Sequence, residues 1–345
     1  MNENITIFST TNIPSPIVSN KITSLYDIFA TSGLSFILIT FVGIRWLISV
    51  VGTILNLLLF WITIKTKTLN SCCNYLIAID ALFTAIYQTS NSISMFIVLT
   101  GINFINLDIC LYLLIYSILS TMMTNCLTFF IGFDRLLSVL FPFVLVYNSV
   151  DIKGGDRFYK ESLCSNEYSR RIITFSTTLS AIYSFFMIWK CYQLSITIPK
   201  TPVICSISDC FQQDVGQMSF RNSFIIMLLS TLNYILICIL IKYRSSTTLF
   251  NKKGADYTKR IFKSLAIIMS MGVAGLLLNC SCRYIMPLLS LNSIQTFYVS
   301  SILGWITNFV MACNAPVLYK FCKDYKTAFD AFFKKNTTVG VQIKH

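Results

Sequence analysis

Ionisable side chains placed at the ends of long apolar stretches are the chemically most informative residues of this sequence. Asp134 and Arg135 follow an apolar run that begins at Cys110 and contains no other charge. A charge pair in this position is costly to bury, so it needs either mutual neutralisation or a partner protein. The pair could therefore act as a two-state element, held inside the protein in one state and exposed in the other. The alternative is an ion pair that only anchors a helix at a membrane surface.

The residues that hydrolytic and metal-dependent enzymes need are missing. The single histidine is His345, the last residue, which leaves no candidate for a histidine base, an HExxH zinc site or a Ser-His-Asp relay. Most of the 13 cysteines lie in apolar runs without paired CxxC spacing, where cysteine usually behaves as a small buried hydrophobe. The Gly154-Gly155 segment lacks the Gly-Lys-Ser/Thr of a phosphate loop. We therefore predict no enzyme, no cofactor and no metal site.

Three cysteines, Cys110, Cys205 and Cys210, could carry a disulfide. Cys110 and Arg135 are 25 residues apart, which is about 37 Å along a helix, so they would lie at opposite faces of a membrane. Cys205 and Cys210 fall in the connection that returns to the face of Cys110, where an extracellular position would be oxidising. We predict a disulfide between Cys110 and Cys205, with Cys210 as the alternative partner.

Helices that cross a membrane must position these residues. Hydrophobic residues make up 55% of the chain and charged residues only 12%, too few charges to cover a soluble globule of this size. Arg45 and Trp46 are expected at the outer headgroups of the first span. Seven stretches are long and apolar enough to span the hydrocarbon core, and together they predict an all-α membrane protein, a seven-transmembrane-helix bundle. The stretches are Phe36–Ile64, Tyr75–Gly101, Cys110–Phe133, Ile172–Ile198, Phe220–Ile241, Ile261–Leu289 and Phe297–Tyr319.

The distribution of basic residues predicts the orientation. All but six of the 27 Lys and Arg lie in the loops and tail of one side, and basic loops stay in the cytoplasm. We therefore predict an extracellular segment at 1–35 with an N-glycosylation site at Asn4, the helical domain at 36–319, and an amphipathic helix with a cytoplasmic tail at 320–345. The basic residues flank apolar segments and form no basic-aromatic patch, so no nucleic acid partner is expected.

A basic amphipathic helix is predicted after Tyr319. Phe321, Tyr325, Phe329 and Phe332 recur at helical spacing among lysines, which favours a helix lying on the inner leaflet with membrane lipid as its partner. Cys322 on this helix is either palmitoylated or a buried free thiol.

The segment from Gly132 to Pro142 reads Gly-Phe-Asp-Arg-Leu-Leu-Ser-Val-Leu-Phe-Pro. It resembles the signature that ends the third span of rhodopsin-like G-protein-coupled receptors, and among them the chain looks most like the nematode serpentine chemoreceptors of class Srsx. The resemblance covers nearly all seven spans and closes with Asn-Ala-Pro-Val-Leu-Tyr at 314–319. It implies that Arg135 is held by Asp134 at rest and meets a G-protein helix when active. Tyr234 and Tyr319 would then swing inward, with Pro316 supplying a kink in the seventh span.

The resemblance also implies a ligand pocket in the outer half of the bundle. Arg283 there either binds a carboxylate or extends to lipid headgroups, which is the commoner arrangement for such a residue. Ser117 stands where amine receptors carry an aspartate, and the seventh span has no lysine for a retinal Schiff base, so neither an amine nor light is expected as the stimulus. The predicted lining residues are Gln88, Tyr116, Ser117, Thr121, Arg283, Tyr284 and Trp305.

Two departures from the family pattern concern activation. Thr84 stands where an acidic residue is usual in the second span, and the nearby carboxylate of Asp80 is expected to find polar partners, such as Asn56 or Asn314, rather than sodium. The sixth span lacks the usual tryptophan and proline, which leaves its hinge to glycines. Drift in a non-functional product could cause the same departures.

The sequence therefore predicts a plasma-membrane receptor that binds an extracellular small molecule or peptide and activates a heterotrimeric G protein. By resemblance it would act in a chemosensory neuron. A neuropeptide receptor of the same fold is one alternative. A seven-span channel or transporter is the other, but Asp80, Lys190 and Arg283 do not form the polar line that conduction needs.

Overall fold

The computed structural model describes residues 33–148, 166–246, 272–289 and 291–342, together with Tyr26 and Phe29, and nearly all of them are helical. Two short strands, β1 (Ile105–Asn106) and β2 (Pro202–Val203), pair antiparallel with Ile105 opposite Val203. The helices in chain order are α1 (Phe36–Lys65), α2 (Cys72–Leu99), α3 (Leu107–Asn148), α4 (Asn166–Thr197), α5 (Ile207–Cys210), α6 (Gln213–Ser246), α7 (272–285), α8 (Ser293–Ala312), α9 (Asn314–Phe321) and α10 (Lys323–Gln342).

Six helical segments of the described part are long and apolar enough to cross a membrane. They lie in α1, α2, α3, α4 and α6 and in α8 together with α9, and they coincide with six of the seven predicted spans to within about two helical turns. Of the remaining predicted span, Ile261–Leu289, the part before residue 272 lies outside the described residues, and α7 follows it. Large apolar side chains such as Phe36, Phe175 and Phe186 are exposed on the helix faces. The chain is therefore built as a multi-pass membrane protein, apolar outside as well as inside.

Local sequence sets where several helices begin and end. The Ser71 hydroxyl accepts a hydrogen bond from the Asn74 backbone N–H at 3.3 Å and caps the start of α2. The same helix ends before Gly101, whose left-handed φ of 75° terminates the α-helical conformation at little cost. α8 and α9 are separated at Cys313, three residues before Pro316. Proline removes an N–H and crowds the carbonyl four residues earlier, so it favours a break at this point.

α3 is longer than the predicted third span. The predicted stretch ended at Phe133, but the backbone stays helical through Pro142 to Asn148. Membrane helices tolerate proline when local adjustment satisfies the freed carbonyl. Residues 149–165, which include Gly154-Gly155, lie outside the described residues.

A buried polar network joins α1, α2 and α8 in the middle of the bundle. The Asn91 amide donates to Ser49 Oγ at 2.7 Å and to Asn308 Oδ1 at 3.2 Å. Gln88 Nε2 donates to the Asn308 carbonyl at 3.2 Å, and Asn56 Nδ2 donates to Gln88 Oε1 at 3.3 Å. Each of these five residues is at most 1% exposed. The bonds replace those that water would make, so they fix the three helices in register.

Asp80 does not find the partners expected of it. Its Oδ1 is buried without a hydrogen-bond partner among the described residues, so neither Asn56 nor Asn314 bonds to this oxygen. The Asn56 amide is occupied instead, because it also donates to the Gly52 carbonyl at 2.9 Å and the Met311 carbonyl at 3.1 Å.

Gly52 lets α1 and α2 approach closely enough for the network to form. A Cβ at position 52 would overlap the carboxamide of Gln88, whereas a Cβ at position 43 would meet only Met95, at 3.7 Å. We expect Gly52→Ala to displace Gln88 and lower the free energy of unfolding by about 1 to 3 kcal/mol. We expect Gly43→Ala, on the same helix, to be neutral or slightly stabilising. Thermal unfolding of the two purified variants in one detergent makes the comparison, and equal melting temperatures would contradict it.

Candidate functional site

The two ends of the bundle carry different groups. We call the end that holds Cys110 the disulfide end, and the end that holds Asp134 and Arg135 the Asp-Arg end. α3 connects them, because Cys110 lies in its first turn and the charge pair lies 24 and 25 residues further along.

The connection between α4 and α6 is tied down across the disulfide end. Cys205 is disulfide-bonded to Cys110, and β2 of the same connection pairs with β1. Cys205 has a left-handed φ of 65°, rare for a residue with a side chain, and the Ser94 hydroxyl donates to its carbonyl at 2.5 Å. Cys210 keeps a free thiol, with its Sγ 3.9 Å from Cys110 Sγ. Of the two pairings predicted, the structure contains the one with Cys205.

A cavity of about 700 Å³ lies between this connection and the helices. Its volume is in the range of small-molecule sites. Aromatic rings supply much of the wall, including Phe41, Phe104, Phe220 and Phe297, with amide and hydroxyl groups between them. The charged residues in the lining are Arg45, Asp209 and Arg283.

Arg45 reaches the cavity from α1. The helix begins at Phe36, so Arg45 lies about 13 Å along it. Its Nε is buried without a hydrogen-bond partner in the described part of the chain. Trp46 donates its ring N–H to Ser92 Oγ on α2 at 3.2 Å. The side chain of Arg45 thus faces the cavity and that of Trp46 a neighbouring helix, while their position at the outer headgroups stays a prediction.

Gly304 on α8 lies against the Arg45 side chain. A Cβ at position 304 would lie 3.5 Å from Nη1 and from Nε of Arg45. The guanidinium therefore lies directly over the backbone of α8. A larger residue there would press on the cation.

Arg283 of α7 also lines the cavity. Its Nε donates to Asn279 Oδ1 at 3.0 Å, and its guanidinium carbon lies 5.5 Å from the centre of the Phe220 ring. It is close enough to Arg45 for the two positive charges to repel each other. The cavity therefore holds two neighbouring cations.

Asp209 is the acidic residue of the lining, but its carboxylate is already used in the connection. Asp209 Oδ2 accepts a hydrogen bond from the Ser206 N–H at 2.9 Å and caps α5. Burial raises the pKa of the Asp209 carboxyl, while Ser206, Arg45 and Arg283 oppose this rise. With Asp209 ionised, the described residues of the lining carry one excess positive charge.

Two of the predicted pocket residues line a cavity. Arg283 lines the large cavity and also a smaller one of about 70 Å³, which it shares with Arg45 and Thr121. Gln88 and Ser117 line neither. Gln88 belongs to the polar network, and Ser117 is fully buried with a hydroxyl that has no partner among the described residues.

The aromatic residues predicted for the pocket also lie elsewhere. Tyr116 is 38% exposed and Tyr284 is 49% exposed, so both turn outward from the bundle. Trp305 stacks on Phe41 and donates its ring N–H to the Phe41 carbonyl at 2.9 Å. The rotation of each helix about its own axis accounts for these differences.

The charge pair at the Asp-Arg end lies against the first turn of α2. The Cys72 thiol hydrogen-bonds to the Asp134 carboxylate, and the Cys73 side chain contacts the Arg135 guanidinium. Asp134 attracts Arg135 electrostatically, but Arg135 Nε is buried without a hydrogen-bond partner in the ranges described. The arginine is therefore partly neutralised and not fully bonded.

Only one of the two predicted switch tyrosines contacts α3. The ring of Tyr234 lies over Gly132, where a Cβ would come within 3.3 Å, and its hydroxyl is buried without a described partner. Tyr319 turns to α10 instead. Its hydroxyl donates to Asp330 Oδ1 at 3.0 Å, and its ring meets Phe329 edge to face at 5.8 Å. Tyr234 is thus near the pair, while Tyr319 is engaged elsewhere.

α10 is the helix predicted to be amphipathic, and it packs under the Asp-Arg end. Tyr325 and Phe329 are 2% and 4% exposed. The Thr63 hydroxyl donates to the Tyr325 hydroxyl at 3.4 Å, and Tyr325 is close enough to Arg135 to interact with its charge. Cys322 is a half-buried free thiol at the junction of α9 and α10. This interaction with Arg135 was not predicted, because the apolar spacing of Tyr325 was taken to indicate a face toward the inner leaflet.

An apolar helical bundle with a cavity at one end and a half-buried Asp-Arg pair at the other has the architecture of a membrane receptor. The family model for the serpentine type 7TM GPCR chemoreceptor Srsx matches residues 49–333, which include most of both ends. The chain belongs to this family, and the resemblance predicted from its sequence is confirmed. No curated protein matches the chain closely enough to be identified as a relative.

Proposed function

We propose that the protein is a G-protein-coupled chemosensory receptor that binds an extracellular small molecule or peptide and activates a heterotrimeric G protein. The family match over residues 49–333 carries the proposal, because it covers both the Arg283 side of the cavity and the Asp-Arg end. In this proposal the fold is a seven-helix bundle with α7 as the end of the sixth span. The N-terminus is extracellular, the tail is cytoplasmic, and the membrane is the plasma membrane of a chemosensory neuron.

Signalling in this proposal is a shift between two packings of the same bundle. At rest Arg135 is held by Asp134, with Tyr325 close enough to interact with its charge. A ligand that fits one packing of the cavity better than the other shifts the population, since only differential affinity can move the equilibrium. The active packing exposes Arg135 to a G-protein helix, with Tyr234 beside it. Tyr319 would leave Asp330 to join them.

Three peripheral features belong to the same proposal. The Cys110–Cys205 bond holds the extracellular connection over the cavity. Cys322 is a candidate for palmitoylation beside α10, which would lie on the inner leaflet. Asn4, the proposed glycosylation site, lies outside the described residues.

The cavity also bears on the kind of ligand. A volume of about 700 Å³ accommodates a small molecule or the end of a peptide. If the ligand were a neuropeptide, only one end of the peptide would enter the cavity. Conduction is disfavoured by the polar network, because its five residues are at most 1% exposed and hydrogen-bond to one another across α1, α2 and α8. A channel would need a water-filled path through the bundle, and these residues leave no exposed polar surface for one.

Activation of a G protein tests the proposal. Cells that express the full chain are exposed to pools of volatile, soluble and peptide compounds, and second-messenger signals and membrane currents are recorded together. We expect at least one pool to raise a G-protein signal that cells without the chain do not give. A ligand-evoked current that persists when G proteins are blocked would contradict the receptor proposal and favour a channel.

A further inference from the structure

The geometry of the cavity points to a ligand class. We infer that it binds a compound with one anionic group, such as a carboxylate, on an apolar or aromatic body, and that Arg45 and Arg283 hold the anion. The inference rests on the proposed function, since it takes this cavity to be the receptor's ligand site. It specifies the chemistry that the site recognises.

The first argument is the state of Arg45. Arg45 is half-buried, and a cation withdrawn from water is costly unless a counter-charge or water compensates it. Its Nε is shielded from solvent and has no hydrogen-bond partner among the described residues. The guanidinium presents up to five N–H donors in a planar fork that suits a carboxylate. An anion in the cavity would supply the missing acceptor.

The second argument is the presence of Arg283 in the same lining. Two cations that repel each other are destabilising to the empty site, and an anion between them relieves that repulsion. Arg283 is aimed by its bond to Asn279 and by the Phe220 ring, so part of its ordering entropy is already lost before a ligand binds.

The third argument concerns the carboxylate already present. Asp209 interacts electrostatically with both arginines, but one carboxylate balances only one of the two positive charges, and its Oδ2 also accepts a hydrogen bond from the Ser206 N–H in the cap of α5. No ion pair joins it to Arg45 or Arg283 within the described ranges. The remaining wall combines six aromatic and six aliphatic side chains with hydroxyl and amide groups, so it offers apolar surface for a body attached to the anion.

A binding experiment on the full chain in neutral phosphatidylcholine nanodiscs tests the inference without a G protein. The probes are sets with matched skeletons: butyrate to dodecanoate and phenylpropionate, each beside its alcohol, its methyl ester and its primary amine. Thermal shift gives the apparent affinity. We expect carboxylates to stabilise the protein, and the alcohols, esters and amines of equal length to do so far less. A parallel arm adds phosphatidylserine to the nanodisc, and stabilisation by that lipid alone would identify the anion as a headgroup.

Substitutions of the two arginines give the second half of the test. We expect Arg45→Gln and Arg283→Gln each to weaken carboxylate binding by roughly 10- to 100-fold, the range for a charge-assisted hydrogen bond. Lys190→Gln is the matched control, because it removes a cation that lies over the Trp189 ring outside the cavity. Arg45→Gln should also leave the ligand-free melting temperature unchanged or raised, since it removes a repulsive charge. This readout needs no ligand.

The outcomes separate the inference from the proposed function. Three results would overturn the anion inference. The first is equal stabilisation by amines or esters, and the second is no shift in melting temperature with any carboxylate or anionic lipid. The third is unchanged carboxylate binding in the double variant Arg45→Gln/Arg283→Gln. G-protein signalling by a neutral compound, unaffected by the double variant, would leave the receptor function standing without it. Arginine-dependent carboxylate binding with no G-protein signal would leave the anion site standing and remove the proposed function.

Discussion

Arg135→Ala is expected to abolish ligand-driven G-protein activation while the receptor still reaches the cell surface. Arg135 is a half-buried cation with an unbonded Nε at the Asp-Arg end, so its role in the proposal is to meet the G protein. Truncating one member of a buried charge contact costs about 2 to 5 kcal/mol, which corresponds to a roughly 30-fold loss or more. The measurement is the concentration dependence of G-protein activation at matched surface expression.

Two further variants separate a coupling role from a structural one. Asp134→Asn is expected to raise signalling in the absence of ligand, because it removes the negative charge that holds Arg135 at rest. Lys65→Ala is the matched control, since it removes an exposed cation that lies over the Trp61 ring on α1. Normal G-protein activation by Arg135→Ala would show that the Asp134–Arg135 pair only anchors a helix. Unchanged signalling without ligand in Asp134→Asn would show that the contact between the two residues does not hold the resting state.

The positions of the membrane helices could be predicted because they depend on local composition. A run of about 20 apolar residues must become a helix in lipid, where every backbone group needs an internal partner. The direction of the Arg45 side chain was not predicted. Only a position at the outer headgroups was expected for it, and the structure adds that it lines the cavity. A charge inside an apolar run was itself the signal that this residue faces the interior.

The rotation of each helix could not be predicted in the same way. Successive residues on a helix point about 100° apart, so an error of one position turns a pocket residue toward lipid. Tyr116 and Ser117 show the consequence, because the first is 38% exposed and the second is fully buried. Trp305 and Gln88 were displaced from the pocket by hydrogen bonds to other helices. Such contacts depend on residues more than 200 positions away, which a local pattern does not contain.

The connections between spans could be predicted only in part, because their paths also depend on residues that are far apart in the sequence. The cysteines at 110, 205 and 210 could be grouped from topology and redox chemistry, but the choice between partners depends on the path of the chain after β2. That path is fixed by strand pairing and by the Ser94 hydrogen bond to Cys205. Asp209, which adds a carboxylate to the cavity, comes into position through the same connection.

Serine substitutions of these three cysteines are expected to differ in severity, with Cys110→Ser the most damaging. The Cys110–Cys205 bond spans 95 residues, and in the chain-entropy account a loop of that size is worth about 4 to 5 kcal/mol of stability. Cys110→Ser removes the partner of every alternative bond. Cys205→Ser should be milder, because Cys210 Sγ lies 3.9 Å from Cys110 Sγ and needs to move about 2 Å to reach bonding distance. Cys210→Ser leaves the native bond intact and should be nearly neutral.

Surface biotinylation and non-reducing peptide mapping measure this order directly. In Cys205→Ser, mapping should find a Cys110–Cys210 linkage, and the double variant Cys205→Ser/Cys210→Ser should fall to the level of Cys110→Ser. The replacement bond would close the loop again but would not restore the path of the connection. Cys205, and not Cys210, has the left-handed backbone conformation and accepts the Ser94 hydrogen bond next to the cavity wall. Carboxylate affinity should therefore fall in Cys205→Ser even where surface expression survives. If Cys210→Ser lowered surface expression as much as Cys110→Ser, the free thiol and not the bond would be the group that the connection needs.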